Sequence, residues 1–206
     1  MNTNNRKPLL IVICIAVALA ALSIIARNIS EEAEIYGKTL RLHVLANSDS
    51  EEDQNLKLAV KDAVILQVSK DLSLCKTKEE AEKVIIENKN EIEKTANKIL
   101  VDAGKEPTAK LTLTKEYYPE RNYGNLTLPA GEYSSVRILL GEAEGQNWWC
   151  VLFPQVCTET ATPVEETLAQ AGFTSAQIRL LTDQEKPTYK IKFKVVELFG
   201  SLFAKN

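Results

Sequence analysis

The stretch from Thr39 to Gln67 constrains the fold most, because all its local signals agree. Residues 40–45 alternate in hydrophobicity with the period of a strand that has one buried face. The polar run 47–49 then favours a turn. Ser50, followed three residues later by Asp53, forms an acidic capping box at a helix start. The helix that follows is predicted to bury one face, made of Leu56, Ala59, Val60, Ala63, Val64 and Gln67.

The N-terminus carries a long apolar segment. Arg6 and Lys7 precede an uncharged run over residues 8–26, which as a helix would span about 28 Å, close to the thickness of a bilayer core. We therefore expect residues 1–26 to be a signal peptide or a membrane anchor, with cleavage and retention both open. The basic residues before it hold the N-terminus inside, so the body is expected outside the cytoplasm. Residues 27–38 are polar and acidic and are interpreted as a tether.

The remainder predicts a single mixed domain over residues 39–199, followed by a short tail over 200–206. A second capped helix is expected from Thr77 to about Ala103, and a shorter one over 163–171. Strands are predicted over 110–116, 133–140 and 147–153, with a loop of about fifteen residues over 117–131. Residues 189–199 fit either a strand or a helix. The expected fold is α+β in two layers: one strand, two helices, then a three-stranded, mostly antiparallel sheet, preceded by the apolar helix.

The four cysteines suggest one disulfide. Cys150 and Cys157 lie seven positions apart, and the expected export makes a bridge between them plausible, with free buried thiols as the alternative. Cys14 lies in the apolar leader, and Cys75 stands alone between two helices. A zinc site is disfavoured, because there is no second cysteine pair and the single histidine is far away in sequence.

The sequence offers few groups for catalysis. His43 is the only histidine, so a serine-type triad with Ser48 or Ser50, or a dyad with Cys150, would need it. No G-x-S-x-G nucleophile elbow is present, and the commoner role of such a histidine is a hydrogen bond that holds the neighbouring turn. The acidic cluster 49–53 lacks the EF-hand spacing and is explained by the helix start. No cofactor, metal or small-molecule substrate is expected.

Net charge and aromatic content favour a recognition protein. The net charge of −3, without clustered Lys and Arg, argues against nucleic-acid binding. The strand over 147–153 is apolar on both faces and is expected to be covered on both sides. Trp148 and Trp149, adjacent on that strand, must point to opposite faces, so at least one could meet a partner.

Two motifs carry a resemblance to a known family. The run Leu40–Ser50 resembles the opening signature of the stage II sporulation protein R family, and Gly145–Pro154 resembles its second signature. The resemblance implies a protein made in the forespore and exported into the space between the forespore and mother-cell membranes. It implies activation there of a membrane-embedded aspartic protease of the mother cell, which processes the precursor of a sporulation sigma factor, pro-sigma-E. The motifs supply the candidate partner contacts: His43, Asn47, Asp49, Trp148 and Trp149.

Two other functions stay open from the sequence. One is an extracytoplasmic hydrolase that uses His43. The other is a cell-wall or lipid-surface binding module that uses the loop over 117–123 and the basic face of Lys190, Lys192 and Lys194.

Overall fold

The computed structural model describes residues 6–156 and 163–182. The chain divides into two compact units, residues 1–35 and 36–206. Helix α1 runs from Arg6 to Gly37, so the polar segment predicted as a tether is helical almost to its end. Within the described residues, no helix combines the length and the apolar character needed to cross a membrane.

The second unit is built from a mixed sheet, a small hairpin and short helices. The strands are β1 (Leu40–Leu45), β2 (Lys110–Tyr118), β3 (Arg121–Tyr123), β4 (Leu126–Leu128), β5 (Gly131–Leu139) and β6 (Asn147–Phe153). The helices that follow α1 are α2 (Glu51–Leu72), α3 (Lys78–Glu87), α4 (Lys89–Asp102), α5 (Val164–Gln170) and α6 (Ser175–Thr182). The main sheet has four strands in the order β2-β5-β1-β6, and β3 pairs with β4. The predicted α+β class is confirmed.

The position of β1 in the sheet differs from the prediction. It pairs parallel with β5 and antiparallel with β6, so it is an inner strand of the four-stranded sheet and not a strand apart from the other three. Five of its six residues are buried, although the sequence predicted one buried face. The alternation holds, because Leu40, Leu42 and Val44 lie on one face. The other face carries Arg41 and His43, which are buried among polar and aromatic side chains.

Both predicted helix caps are present. The Ser50 hydroxyl accepts from the backbone N–H of Asp53, and that of Thr77 accepts from Glu80. The single helix predicted over 77–103 is instead α3 and α4, separated at Asn88. The side chain of Asn88 donates to the carbonyl of Val84, and this local bond competes with continued helix.

The buried face of α2 is rotated relative to the prediction. Val60 and Val64 are buried as expected, but Leu56 is half-buried and Ala59 is exposed. The other buried members of the face are Asp53, Lys57, Val68 and Leu72. Two charged residues thus replace apolar ones in the first turns, because Asp53 bonds the turn of the first motif and Lys57 bonds the second motif.

The prediction of a long loop over residues 117–131 was wrong. Strand β2 extends to Tyr118, β5 begins at Gly131, and the hairpin β3–β4 occupies the middle. Leu126 and Leu128 on β4 are buried, and Gly124 turns the hairpin with a φ of +67°. The buried leucines give this polar segment the apolar anchor that makes it fold back.

Strand β6 matches its prediction in only one half. Residues 150–153 are buried, as expected for a strand covered on both faces, but Asn147 and Trp148 are exposed. The predicted helix over 163–171 is confirmed as α5, while α6 was not predicted. The ambiguous segment 189–199, the lysines at 190, 192 and 194, and the tail over 200–206 lie outside the described residues.

Candidate functional site

The two sequence motifs are neighbours in the structure. Strand β1 of the first motif pairs antiparallel with strand β6 of the second, and the register places His43 opposite Trp149 and Val44 opposite Trp148. The turn 47–49 and the turn 141–146, at the same end of the sheet, are also in contact. The five candidate contact residues therefore fall in one region, although the two groups that they form lie about a hundred positions apart in the chain.

The polar turn 47–49 is hydrogen-bonded to the turn 141–146. Oδ1 of Asn47 accepts from the backbone N–H of Glu142 at 3.0 Å. Oδ1 of Asp49 accepts from the backbone N–H of Gln146 at 2.7 Å. The backbone N–H of Gly145 donates to the carbonyl of Ala46 at 3.0 Å. Asn47 and Asp49 thus hold the turn that leads into the second motif, while the residues themselves remain exposed.

Two charged residues of α2 secure the same junction. The carboxylate of Asp53 accepts from Nδ2 of Asn47 at 2.8 Å and from the hydroxyl of Ser48 at 2.6 Å. These two bonds lower the pKa of Asp53, with the Ser48 bond as the larger cause. Nζ of Lys57 donates to the carbonyl of Gln146 at 3.0 Å, and burial lowers the pKa of this lysine. The sequence assigned Asp53 only to the helix start and did not single out Lys57.

Two glycines let the turns approach each other. A Cβ on Gly141 would overlap the side chain of Asn47, and Gly141 also has a φ of +59°. A Cβ on Gly145 would overlap the backbone carbonyl of Ser48. Close backbone approach of this kind is available only to glycine.

His43 lies buried between two side chains. Its Nδ1 is 2.9 Å from Oε1 of Glu116, and its Nε2 is 2.6 Å from Oδ1 of Asn147. Glu116 also accepts from the hydroxyl of Ser135 at 2.9 Å. The Ser135 hydroxyl is in turn 2.6 Å from the hydroxyl of Tyr118. The hydrogen bonds of His43 therefore join strands β2 and β6, whereas the sequence predicted that they hold the neighbouring turn.

The two tryptophans have different environments. The ring of Trp149 stacks on His43 with centroids 3.7 Å apart and meets Tyr118 edge-on at 4.5 Å. Trp148 is 36 % exposed, and Nζ of Lys61 lies 4.6 Å from its ring centre. The prediction that at least one tryptophan reaches the surface thus applies to Trp148, while Trp149 belongs to the packed cluster.

Arg41 lies at the centre of the same face and was not singled out by the sequence. Its Nε donates to the carbonyl of Cys150 at 3.1 Å, and its Nη2 donates to the hydroxyl of Tyr123 at 2.6 Å. The guanidinium carbon is 4.2 Å from the ring centre of Tyr118 and 4.9 Å from that of Tyr133. Burial raises the pKa of Tyr118 and of Tyr123. An arginine between two leucines of a strand was the available signal.

We refer to Arg41, His43, Glu116, Tyr118 and Trp149 as the polar–aromatic cluster. Its members occupy β1, β2 and β6. Most of their polar atoms are hydrogen-bonded, either within the cluster or to the neighbouring residues Tyr123, Ser135, Asn147 and Cys150. One exception is Nη1 of Arg41, for which the described residues supply no hydrogen-bond partner. Cation–π contacts stabilise the buried guanidinium in place of a carboxylate.

The groups that could act as nucleophiles are occupied. Cys150 is disulfide-bonded, which removes the thiol that a dyad with His43 would require. Its predicted partner, Cys157, lies outside the described residues, and Cys14 and Cys75 are free. The Ser48 hydroxyl donates to Asp53, away from His43. In the described part of the chain, no group of three or more His, Cys, Asp or Glu residues is arranged to hold a metal ion.

These features define a mixed α+β domain in which two separate motifs are joined through paired strands, docked turns and a fixed polar–aromatic cluster. The family model described as Stage II sporulation protein R matches residues 36–162, and the chain belongs to that family. The chain is 36% identical over 141 residues to the Stage II sporulation protein R of Bacillus subtilis (strain 168). That alignment covers 68% of this chain but only 63% of the relative, which is less than two thirds of its length. No solved structure matches the chain.

Proposed function

We propose that this chain is an exported signalling protein of sporulation that activates a membrane-embedded aspartic protease of the mother cell. The protease then processes a pro-sigma factor, pro-sigma-E. The observation that carries the proposal is membership of the stage II sporulation protein R family over residues 36–162. The chain would act from the space between the forespore and mother-cell membranes. The apolar run over residues 8–26, preceded by Arg6 and Lys7, supports export to that space.

We propose that activation proceeds by protein–protein recognition and not by catalysis. The arrangement around His43 resembles an oriented base, because Glu116 contacts its Nδ1. A triad would need a hydroxyl or thiol at Nε2, and Nε2 instead faces the side chain of Asn147. The Ser135 hydroxyl bonds the carboxylate on the other side of the ring. This geometry supports a structural role for the histidine.

The exposed members of the motifs are the best contact candidates. Asn47, Asp49 and Trp148 are exposed at the end of the sheet where the motifs meet, whereas His43 is buried and Trp149 is stacked upon it. A partially exposed tryptophan on a rigid strand is a common anchor of protein interfaces. We therefore propose that Trp148 contacts the partner and that the cluster holds its strand in place.

Co-expression provides the test. The full chain, the candidate protease and the pro-sigma precursor are produced together, and processing is scored by the size of the precursor on a blot. We expect processing to require this chain, and to be lost when residues 1–35 are removed so that the domain stays in the cytoplasm. Processing that is equal with and without the chain would contradict the proposal. A protease inactivated at its aspartates serves as the control for background cleavage.

A binding module for cell wall or lipid remains the alternative. Tyr117, on the edge strand β2, is 58 % exposed. Among the residues that the structure describes, this exposed aromatic ring favours a surface-binding module. Sedimentation of the purified chain with wall fragments or vesicles, without any protein partner, would favour this function over the signalling role.

A further inference from the structure

A cavity of about 270 Å³ opens beside the docked turns. It lies between the start of α2, the end of α4 and the turn after β5, and its lining includes Asn47, Asp53 and Gly141. The cavity is small, since sites for drug-sized ligands and cofactors measure about 300–1,000 Å³. Its size suits one or two amino-acid side chains.

The walls of the cavity combine apolar depth with an acidic mouth. Leu100 and Leu140 are buried, and Leu56 is half-buried beside them. Glu106 and Glu142 also line the cavity and are exposed. An apolar interior with charged residues at the opening is the usual arrangement of a recognition pocket.

The acidic mouth has one neighbouring cation among the described residues that line the cavity, and that cation is already paired. Lys105 lines the cavity but is bonded to Glu52, with Nζ 2.7 Å from the carboxylate. The carboxylate of Asp53 is occupied by Asn47 and Ser48. Among the described residues, neither Glu106 nor Glu142 forms an ion pair. Two carboxylates are therefore left to meet a positive charge from outside the domain.

The walls are also held in a fixed shape. The backbone N–H of Gly141 donates to the hydroxyl of Thr108 at 3.0 Å, which ties the turn after β5 to the segment that follows α4. The side chain of Asn47 holds the next residue of that turn. A cavity formed by such tied segments exists before its occupant arrives, which lowers the entropic cost of binding.

We propose that this cavity is a docking site for a protein segment that inserts an aliphatic side chain and places an adjacent Lys or Arg against Glu106 and Glu142. The inference rests on the proposed function, in which the partner is the membrane-embedded protease. It adds a second contact surface of this chain, besides Trp148, and the chemistry of the partner segment. Charge complementarity at the rim would guide the encounter, and the apolar floor would hold the inserted side chain.

Charge reversal tests the docking site in the full chain. The double variant Glu106→Lys/Glu142→Lys is compared with Glu120→Lys/Glu132→Lys, which makes the same charge change at exposed positions outside the cavity. We expect precursor processing to fall about tenfold in the first variant, because like charges would face the partner, and to stay unchanged in the second. Both should show the thermal midpoint of the unchanged chain, since all four side chains are exposed. Equal processing by the two double variants would overturn the proposal.

Photo-crosslinking supplies an independent readout. A photoreactive amino acid replaces Glu142 in one chain and Glu120 in another, and each is co-expressed with the protease. We expect a crosslink to the protease from position 142 and none from position 120. A crosslink from position 142 to a second copy of this chain, or to no protein, would overturn the docking site. If the unchanged chain fails to stimulate processing, the proposed function fails; if it stimulates and the cavity variants do so equally, only the docking site fails.

Discussion

At the residue scale, one carboxylate organises the junction of the two motifs. The carboxylate of Asp53 accepts hydrogen bonds from the side chains of Asn47 and Ser48. Its backbone N–H donates to the hydroxyl of Ser50. The same side chain therefore secures the first turn of α2 and the polar turn before it. Its lowered pKa reflects these bonds to the ionised form.

We predict that Asp53→Asn lowers the free energy of unfolding by about 2 kcal/mol at neutral pH, since bonds to a charged group are lost. Because the pKa of Asp53 is lower in the folded chain, its contribution is complete above the unfolded value of about 3.9 and is lost as pH falls through the folded value. The variant should thus converge on the unchanged chain in acid. Urea unfolding from pH 7 to pH 2.5 measures this, with the exposed Asp62→Asn as control.

The adjacent tryptophans form a matched pair. We predict that Trp149→Ala lowers the free energy of unfolding by about 3 kcal/mol, because the ring packs on His43 and Tyr118. Trp148→Ala should cost less, about 1–2 kcal/mol, since its ring is more exposed and its neighbour is the Lys61 ammonium.

The same two variants separate packing from recognition. In the co-expression assay, Trp148→Ala should reduce precursor processing more than Trp149→Ala does, although it lowers the thermal midpoint less. A Trp148→Ala variant with a lowered thermal midpoint, but with normal processing at a temperature where it is folded, would assign this ring to packing instead.

At the element scale, the docking of two turns decides how the strands are joined. The turn 47–49 and the turn 141–146 are brought together by β1, which lies beside both β5 and β6. The backbone approach at Gly145 leaves no room for a side chain. Sterics, and not only hydrogen bonds, therefore fix the register of the second motif.

We predict that Gly145→Ala lowers the free energy of unfolding by about 3 kcal/mol, because a Cβ would meet the carbonyl of Ser48. Gly104→Ala is the control, since Gly104 has a φ of +75° and open space around it. Backbone strain alone should cost it about 1 kcal/mol. Thermal melts of both variants measure the difference, and equal losses would show that the turns can separate without cost.

At the scale of the whole molecule, the chain must survive outside the cytoplasm if the proposed export holds. Cys150 is disulfide-bonded, and its carbonyl also accepts from Arg41, so the bond would brace the strand that carries the second motif. The pairing with Cys157 is a prediction. A loop of that length would stabilise the fold by about 2.5 kcal/mol in the chain-entropy model.

We predict that the oxidised chain has a mass about 2 Da below the reduced one, the two hydrogens lost when one bridge forms. Alkylation under denaturing conditions without reductant should label Cys14 and Cys75 only. Cys157→Ser should lower the thermal midpoint and free Cys150 for labelling, while Cys75→Ser should leave the midpoint unchanged. Labelling of all four cysteines before reduction would contradict the bridge.

Much of the local structure was available from the sequence. The hydrophobic period of β1, the Ser50 and Thr77 caps and the α+β class were predicted and confirmed, and so was the family. These features depend on residues within a few positions of one another, or on motifs long enough to be recognised whole. The apolar period of α2 could not reveal its buried face, because Asp53 is buried by bonds to the turn just before the helix and Lys57 by a bond to the distant turn at Gln146.

By itself, the sequence determined the four strands of the main sheet, the capped starts of α2 and α3, and the family to which the chain belongs. Only the tertiary structure decided that β1 lies inside the sheet, that 117–131 folds into a hairpin, and that Arg41 and His43 lie buried among tyrosines and Trp149. The reason is physical. Periodicity reports the faces of an element, whereas its neighbours are set by contacts between residues far apart in sequence, and those contacts alone make burial of an arginine and a histidine favourable.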